Sequence, residues 1–306
     1  MSSIEERKFI ALNISGEQIN TCYHEAGTEN KESVIFAQTG GAGASAYMCW
    51  YLNMSAFVDA GYHVYAPDFL GYGLTRRVSE EGGRIGTSEF ILAFMDAFGL
   101  GGAHFIGNSM GSNALTQFVI DHPDRVKSLI LTGSEPIVET EGLQALTKDM
   151  NKTVRTDFVK EMLGKPKVIF DDMKRATADF FYDRDHPRID EVAKKRLEAI
   201  NRPGIREKAL DHASKTRESG RGYFQASDLG KIQAPTYLIH GRDERFFFPK
   251  DAASVLLNCA IQVAMSIPNC SCTILSHCGH WPQIEKANTF NALALEFLDR
   301  QRGKAN

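Results

Sequence analysis

The sequence lacks most of the features that mark special classes of protein. No uninterrupted apolar run approaches the length needed to span a bilayer, and the opening MSSIEERKFI is charged, without the apolar core of a signal peptide. The expectation is a cytoplasmic protein with no membrane partner. Cysteine is sparse: Cys22, Cys49, Cys259, Cys270, Cys272 and Cys278 are scattered through 306 residues and form no disulfide framework. Cys270, Cys272 and Cys278 lie near His277 and His280, but the spacing matches no common zinc pattern, so they read as buried thiols and no metal is expected. Charge of either sign is not in excess. A net charge of -3 provides no general attraction to nucleic acid or to an anionic membrane. Internal repeats and low-complexity segments are absent, and only Arg300 to Asn306 reads as a loose tail. What is present is 43% hydrophobic and 24% charged, enough for a large buried core in one domain with an insertion, or in two domains.

The most informative stretch is HFIGNSMGSNALTQFVIDHP. Ala103 to Ile106 reads as a buried strand, and Ala114, Leu115, Phe118 and Val119 recur at helical spacing before Pro123 ends the helix. Ser109 therefore sits on a strand-to-helix turn. Strand and helix can approach that closely only if the residues two before and two after are small, and Gly107 and Gly111 are. Such a turn lifts the hydroxyl above the sheet and aims the next amide, that of Met110, at whatever the hydroxyl attacks. The bland reading of the pattern is a glycine-rich turn.

The residues on either side place this turn in an alternating pattern. The first thirty residues read as an antiparallel hairpin. Val34 to Gln38 is a short buried strand running into Thr39-Gly40-Gly41-Ala42-Gly43-Ala44-Ser45, where the glycines let backbone amides approach a ligand. A helix from Met48 to Ala60, a strand from His63 to Pro67, a helix from Ser88 to Phe98, the strand before Ser109 and a strand from Val126 to Thr132 follow. Strands alternating with helices predict an α/β fold with a parallel sheet, whose ligands bind at the C-terminal ends of the strands. The rhythm breaks between Ser134 and Asp228. That charged stretch reads as helices over Thr153 to Leu163, Ile169 to Tyr182 and Ile189 to Ile200. It divides the chain into a core, 1–133 with 229–306, and a helical insertion, 134–228. Strands resume at Pro235 to His240 and Cys272 to Leu275, and a last helix runs from Asn288 to Asp299.

The loops after those two late strands carry the remaining candidates. A serine needs a base within hydrogen-bond reach, and the base needs an orienting carboxylate. Asp243 in GRDER and His280 in SHCGHW supply both in the order Ser, Asp, His, with Ser109 as nucleophile, His280 as base and then acid, and Asp243 as the orienting group. Glu244 is the competing carboxylate and His277 the competing imidazole.

With these residues in place, the chain resembles the α/β-hydrolases, and within them the meta-cleavage-product hydrolases, which cut a carbon–carbon bond in ring-opened catechols. The likeness runs from FVDAGYHVYAPDFLGYG through GNSMG, HPDRVKSLIL, RLEAI, GRDERF and CGHWPQIEKA to the last helix. It implies an α/β-hydrolase fold, a mostly parallel sheet flanked by helices with a helical lid inserted after the sixth strand. It also implies oxyanion-hole amides from Gly40 or Gly41 with Met110, and an acid-binding pocket lined by Asn108, Arg196 and Trp281. No cofactor follows from it; the partner is a small acidic, partly apolar substrate, and the assembly a homo-oligomer, a dimer by the resemblance. Four positions depart from the family pattern. Gln38-Thr39 stand for its His-Gly, Ala42 for its Pro and Cys49 for an asparagine near the substrate's enol or keto group, and Phe246-Phe247-Phe248-Pro249 is one residue longer. The glycine-rich loop is therefore expected to be held by different contacts or to be more mobile. A carboxylesterase or lactonase is the alternative activity, and a non-catalytic ligand receptor on the same fold is the rival outside the enzymes. For Arg196, the bland expectation among lysines is a solvated helix face, against an inward face shared with Val192 and Ile200.

Overall fold

The computed structural model describes residues 4–75, 86–133, 138, 154–207, 209–210, 224–244 and 253–302. Strands β1 (Lys8–Ile14) and β2 (Glu17–Ala26) form the hairpin expected from the alternation of the first residues. Ser15 and Gly16, both at positive φ (51° and 85°), make a two-residue turn whose twist suits the flanking strands. The chain then alternates: β3 (Glu32–Ala37), α1 (Ala46–Trp50), α2 (Met54–Asp59), β4 (Tyr62–Pro67), α3 (Thr87–Ala97), β5 (Ala103–Asn108), α4 (Met110–Asp121) and β6 (Val126–Thr132). The eight strands form one sheet in the order β1-β2-β4-β3-β5-β6-β7-β8, where β7 is Thr236–Gly241 and β8 is Cys270–Leu275. All neighbours from β4 to β8 are parallel, and β2 joins β4 antiparallel. The C-terminal ends of β3, β5, β7 and β8 thus share one edge, which places the four informative loops together.

Every residue of β5 and of β7 is buried, as expected for strands covered on both faces. One face packs Phe90, Phe94, Leu115, Phe118 and Val119 from α3 and α4. The other packs Trp50 and Phe57 with Phe290 and Phe297 of α11 (Ala287–Asp299). Two further helices in this last third, α9 (Ala253–Ser266) and the short α10 (Pro282–Glu285), had no counterpart in the sequence reading.

Between β6 and β7 lie the helices α5 (Val154–Gly164), α6 (Phe170–Ala178) and α7 (Ile189–Ile200), with the short α8 (Ala226–Leu229) before β7. α7 has the bounds expected for it. α6 stops four residues short of the expected Tyr182, because Phe180 O accepts the N–H of His280 and the N–H of Tyr182 donates to the side chain of Glu285. The helix expected over Met48 to Ala60 is two helices. The break falls at Asn53, a buried side chain that donates to Gln283 O (3.1 Å) and Asn291 Oδ1 (2.8 Å). The insertion has apolar packing of its own, with Met162, Leu163, Met173, Ala193 and Ile200. A second cluster joins Phe180, Phe181, Ile189 and Val192 to Met48, Trp281 and Ile284 beneath them. Near its ends, Val138 and Phe224 form an isolated parallel bridge. The expected boundary at residue 134 and the lengthened Phe246-to-Pro249 segment lie outside the described residues.

Candidate active site

Ser109 occupies the turn between β5 and α4 with φ 56° and ψ -114°, a backbone that non-glycine residues rarely adopt. The strain is held by packing. Ser109 N–H donates to Thr132 O (2.8 Å), and a Cβ on Gly107 would lie 2.8 Å from Gly111 C and from Ser112 N. A Cβ on Gly111 would lie 2.4 Å from Ala37 O, so both glycines are required by close approach, as the motif predicts. Met110 follows as the first residue of α4.

The imidazole of His280 meets a carboxylate, but not the expected one. His280 Nδ1 lies 2.6 Å from Glu244 Oε1, and both side chains are buried. A carboxylate only accepts, so the proton of the neutral ring sits on Nδ1 and Nε2 is left basic. Asp243, expected to orient His280, turns outward instead, where its Oδ2 accepts the N–H of His277 at 2.7 Å. The reason is the turn that follows β7. Glu244 N–H donates to Gly241 O (3.2 Å) and Asp243 N–H to Cys278 O (3.0 Å), which curls the chain so that Glu244 returns to the sheet edge while Asp243 faces away. Two adjacent carboxylates were legible in the sequence; which of them points inward depends on this turn. A second buried imidazole, His240 Nδ1, lies 3.9 Å from the other oxygen of Glu244. His277, the competing imidazole, packs its ring against Tyr182.

The loop after β3 is braced by contacts that differ from a histidine–glycine opening. Gln38 Oε1 accepts Phe69 N–H (3.4 Å), while Gln38 Nε2 and Thr39 Oγ1 are buried without a hydrogen-bond partner among the described residues. The firm brace is Asp68, buried after β4, whose two oxygens accept Ala46 N–H and Leu74 N–H, each at 2.8 Å. Gly73 N–H adds a bond to Ala44 O (3.3 Å). Gly41 takes φ +100°, and a Cβ on Gly40 would lie 3.3 Å from Met110 Cβ, so the loop lies against the residue after Ser109.

Arg196 is 3% exposed and faces inward, which overturns the solvated-face expectation. Its Nε donates to Ala42 O in the glycine-rich loop (3.0 Å) and its Nη1 to Thr177 Oγ1 (2.9 Å). The guanidinium lies over Phe180 and Trp281, 5.1 and 5.8 Å from their ring centroids. These two rings stack at 4.0 Å and 7°. The buried Trp281 and Arg196 are thus brought together. Asn108 is tied to the histidine loop rather than to Arg196: its Nδ2 lies 3.3 Å from His280 O and from Gln283 Oε1, and its buried Oδ1 has no partner among the described residues. Cys49 receives Gln283 Nε2 at 3.5 Å, and burial pushes its thiol up to about 12. Asp68, Thr177 and Phe180 went unremarked in the sequence. Asp68 follows a strand and precedes two glycines, a usable signal; Thr177 and Phe180 carry none. Among the described residues no group of three or more His, Cys, Asp or Glu gathers as a metal site, and Cys272, on the edge strand β8, is exposed.

A strained serine turn, a buried histidine–carboxylate pair and a braced glycine loop on one parallel edge define the α/β-hydrolase class. A family model described as the alpha/beta hydrolase fold matches residues 33–287. A 2-hydroxy-6-oxononadienedioate/2-hydroxy-6-oxononatrienedioate hydrolase of Burkholderia vietnamiensis is 30% identical, over 96% of each chain. A 2-hydroxy-6-oxo-6-phenylhexa-2,4-dienoate hydrolase of Comamonas testosteroni is 32% identical, over 92% of this chain and 91% of its own. Among solved structures, a meta-cleavage product hydrolase from Pseudomonas fluorescens, complexed with acetates, superposes with a TM-score of 0.76 at 26% identity, covering 95% of this chain and 97% of its own. The chain belongs to the α/β-hydrolase family and, within it, to the meta-cleavage-product hydrolases.

Proposed function

We propose that the chain hydrolyses a carbon–carbon bond in a vinylogous diketo acid formed by aromatic ring cleavage, with Ser109, His280 and Glu244 as its triad. The observation that carries this reading is the buried 2.6 Å contact between His280 Nδ1 and Glu244, on the same sheet edge as the strained Ser109. The substrate first ketonises. The oxygen nucleophile, Ser109 Oγ or a water held against it, gives its proton to His280 Nε2 and adds to the carbonyl carbon. Negative charge then gathers on the former carbonyl oxygen, facing the amide of Met110 and that of Gly40 or Gly41. As the tetrahedral centre collapses, the C–C bond breaks. Its electron pair passes into the conjugated keto acid, which takes a proton from His280. A water nucleophile leaves the carboxylic acid free at this point, whereas attack by Ser109 leaves an acyl ester that a water then hydrolyses, releasing the acid and restoring the hydroxyl. Glu244 holds the ring in the required tautomer and stabilises the imidazolium.

Residues 134–228 serve as the lid in this reading, and the position of Arg196 supports it. Its planar cation lies over the stacked pair of Phe180 and Trp281, where a substrate carboxylate would be held by charge-assisted bonds. Asn108 and Trp281 complete the acid-binding side. We assign the protein to the cytoplasm and read it as a homodimer. The exposed apolar side chains of Met265 and Ile274, near the β8 edge, support an interface there. Light scattering tests that assembly. The activity is tested by product analysis with a panel of ring-cleavage diketo acids against neutral activated esters. Paired acid and dienoate products are expected, and turnover of the esters alone would point to a carboxylesterase.

A further inference from the structure

The mechanism above makes no use of Glu285, a partly buried acid beside the histidine loop. Glu285 closes α10, five residues after His280, and its carboxylate bridges two pieces of chain that come from opposite sides of the site. Glu285 Oε1 accepts the N–H of Gly279 at 2.8 Å, in the loop of His280. Glu285 Oε2 accepts the N–H of Tyr182 at 2.9 Å, in the insertion. A third bond runs beside them, from His280 N–H to Phe180 O at 2.9 Å. The fit is close: a Cβ on Gly279 would lie 2.7 Å from Phe180 O and 2.8 Å from Tyr182 N. Phe180, in turn, stacks on Trp281 and lies under Arg196.

We propose that Glu285 is a positioning residue that ties the insertion segment Phe180–Tyr182 to the loop carrying His280, so that the imidazole and the roof above it are set as one unit. The inference rests on the reading of His280 as the catalytic base. Two N–H donors, one on each oxygen of a carboxyl, are bonded most strongly when both oxygens are unprotonated, which is the ionised form. Protonation makes one oxygen a hydroxyl, a weaker acceptor, and the amide of glutamine puts a donor in its place, so one of the two bonds is weakened or lost. Burial raises Glu285 to about 7, against the pull of the Tyr182, Gly279 and Trp281 amides and of Lys286, the neighbouring cation. The other titratable groups facing it are the Cys278 thiol, from the histidine loop, and His186, from the insertion, whose ring meets the Glu285 backbone. The tie is therefore whole above neutrality and half-broken below it.

The test compares wild type with Glu285→Gln on a neutral activated ester, p-nitrophenyl acetate, across the acid and neutral range. Effects of pH common to both enzymes divide out of the ratio of their kcat/KM values. The expected ratio is near one in acid and rises to roughly ten-fold in base, with its midpoint near 7. A ratio that stays constant with pH would reduce Glu285 to a structural role and overturn the proposal. If the variant fails to fold, hydrogen exchange of the wild type decides. Protection of the Gly279 amide or of the Tyr182 amide, whichever faces the protonated oxygen, should fall as pH falls through that midpoint, and unchanged protection of both overturns the proposal. Wild type inert toward every ester and diketo acid would sink the hydrolase reading itself, an outcome distinct from a flat ratio in an active enzyme.

Discussion

Glu244 and Asp243 are neighbours in sequence with opposite fates, and the difference is measurable. Glu244 sits against a buried imidazole, where loss of its charge leaves the ring without an orienting acceptor; Asp243 caps a backbone amide at the surface. Glu244→Gln should lower kcat by roughly a thousand-fold or more, approaching Ser109→Ala, while Asp243→Asn should cost less than about ten-fold. Steady-state rates of the three variants check this, and a larger loss for Asp243→Asn would return the triad to its first assignment. Arg196 holds Ala42 O in this structure, and in the proposed function it also binds the substrate carboxylate. Arg196→Ala should cut kcat/KM for a diketo acid by about thirty-fold or more. A small neutral ester, which needs only the loop contact, should lose a few-fold. Kinetics on both substrates separate the effects.

At the scale of elements, the glycine-rich loop owes its shape to Asp68. Each carboxylate oxygen takes one buried amide, one at the start of α1 and one in the loop after β4, and a Cβ on Gly73 would fall 1.9 Å from Asp68 Oδ2. Asparagine keeps the shape but points N–H at one of these donors. Asp68→Asn should therefore destabilise by about 1 to 3 kcal/mol, the cost of an unsatisfied buried donor, and lower kcat as the loop loosens beside Met110. Urea denaturation read beside ester turnover tests both halves; a stable, fully active variant would mean the brace lies elsewhere.

For the whole molecule, pH acts through buried groups with opposite signs. His104 lies inside the sheet, bonded to Ser128 Oγ (2.8 Å) and Glu32 (3.2 Å), and burial drives it down from 6.5 to about 4. Its folded pKa is depressed, so the unfolded chain binds the proton first. Stability from this group is present above 6.5 and is lost as pH falls toward 4. Glu285 runs the other way: with its folded pKa raised from 4.5 to about 7, its contribution is present below 4.5 and is lost as pH rises through 7. His104→Gln should flatten the acid loss of unfolding free energy by about 2 kcal/mol in urea titrations at neutral and mildly acid pH. A slope unchanged from wild type would remove His104 from the account.

The sequence by itself determined the elbow, the strand order of its chemistry and the inward histidine, because these follow from local rules. Small residues flank a strained serine, buried strands read as apolar runs, and ligand loops gather at the C-terminal ends of parallel strands. The hairpin and α7 were legible for the same reason, as periodic patterns with clear stops. Only the tertiary structure decided which of two adjacent carboxylates meets His280, since a single turn after β7 sends their side chains to opposite sides. It alone decided that α6 ends early, because Phe180 and Tyr182 give up helical bonds for partners about a hundred residues away in sequence. Arg196 is the same case. Its place beside an apolar stripe was readable from spacing, but its burial against Phe180, Trp281 and Ala42 arises from packing the insertion onto the sheet edge, which no local pattern encodes.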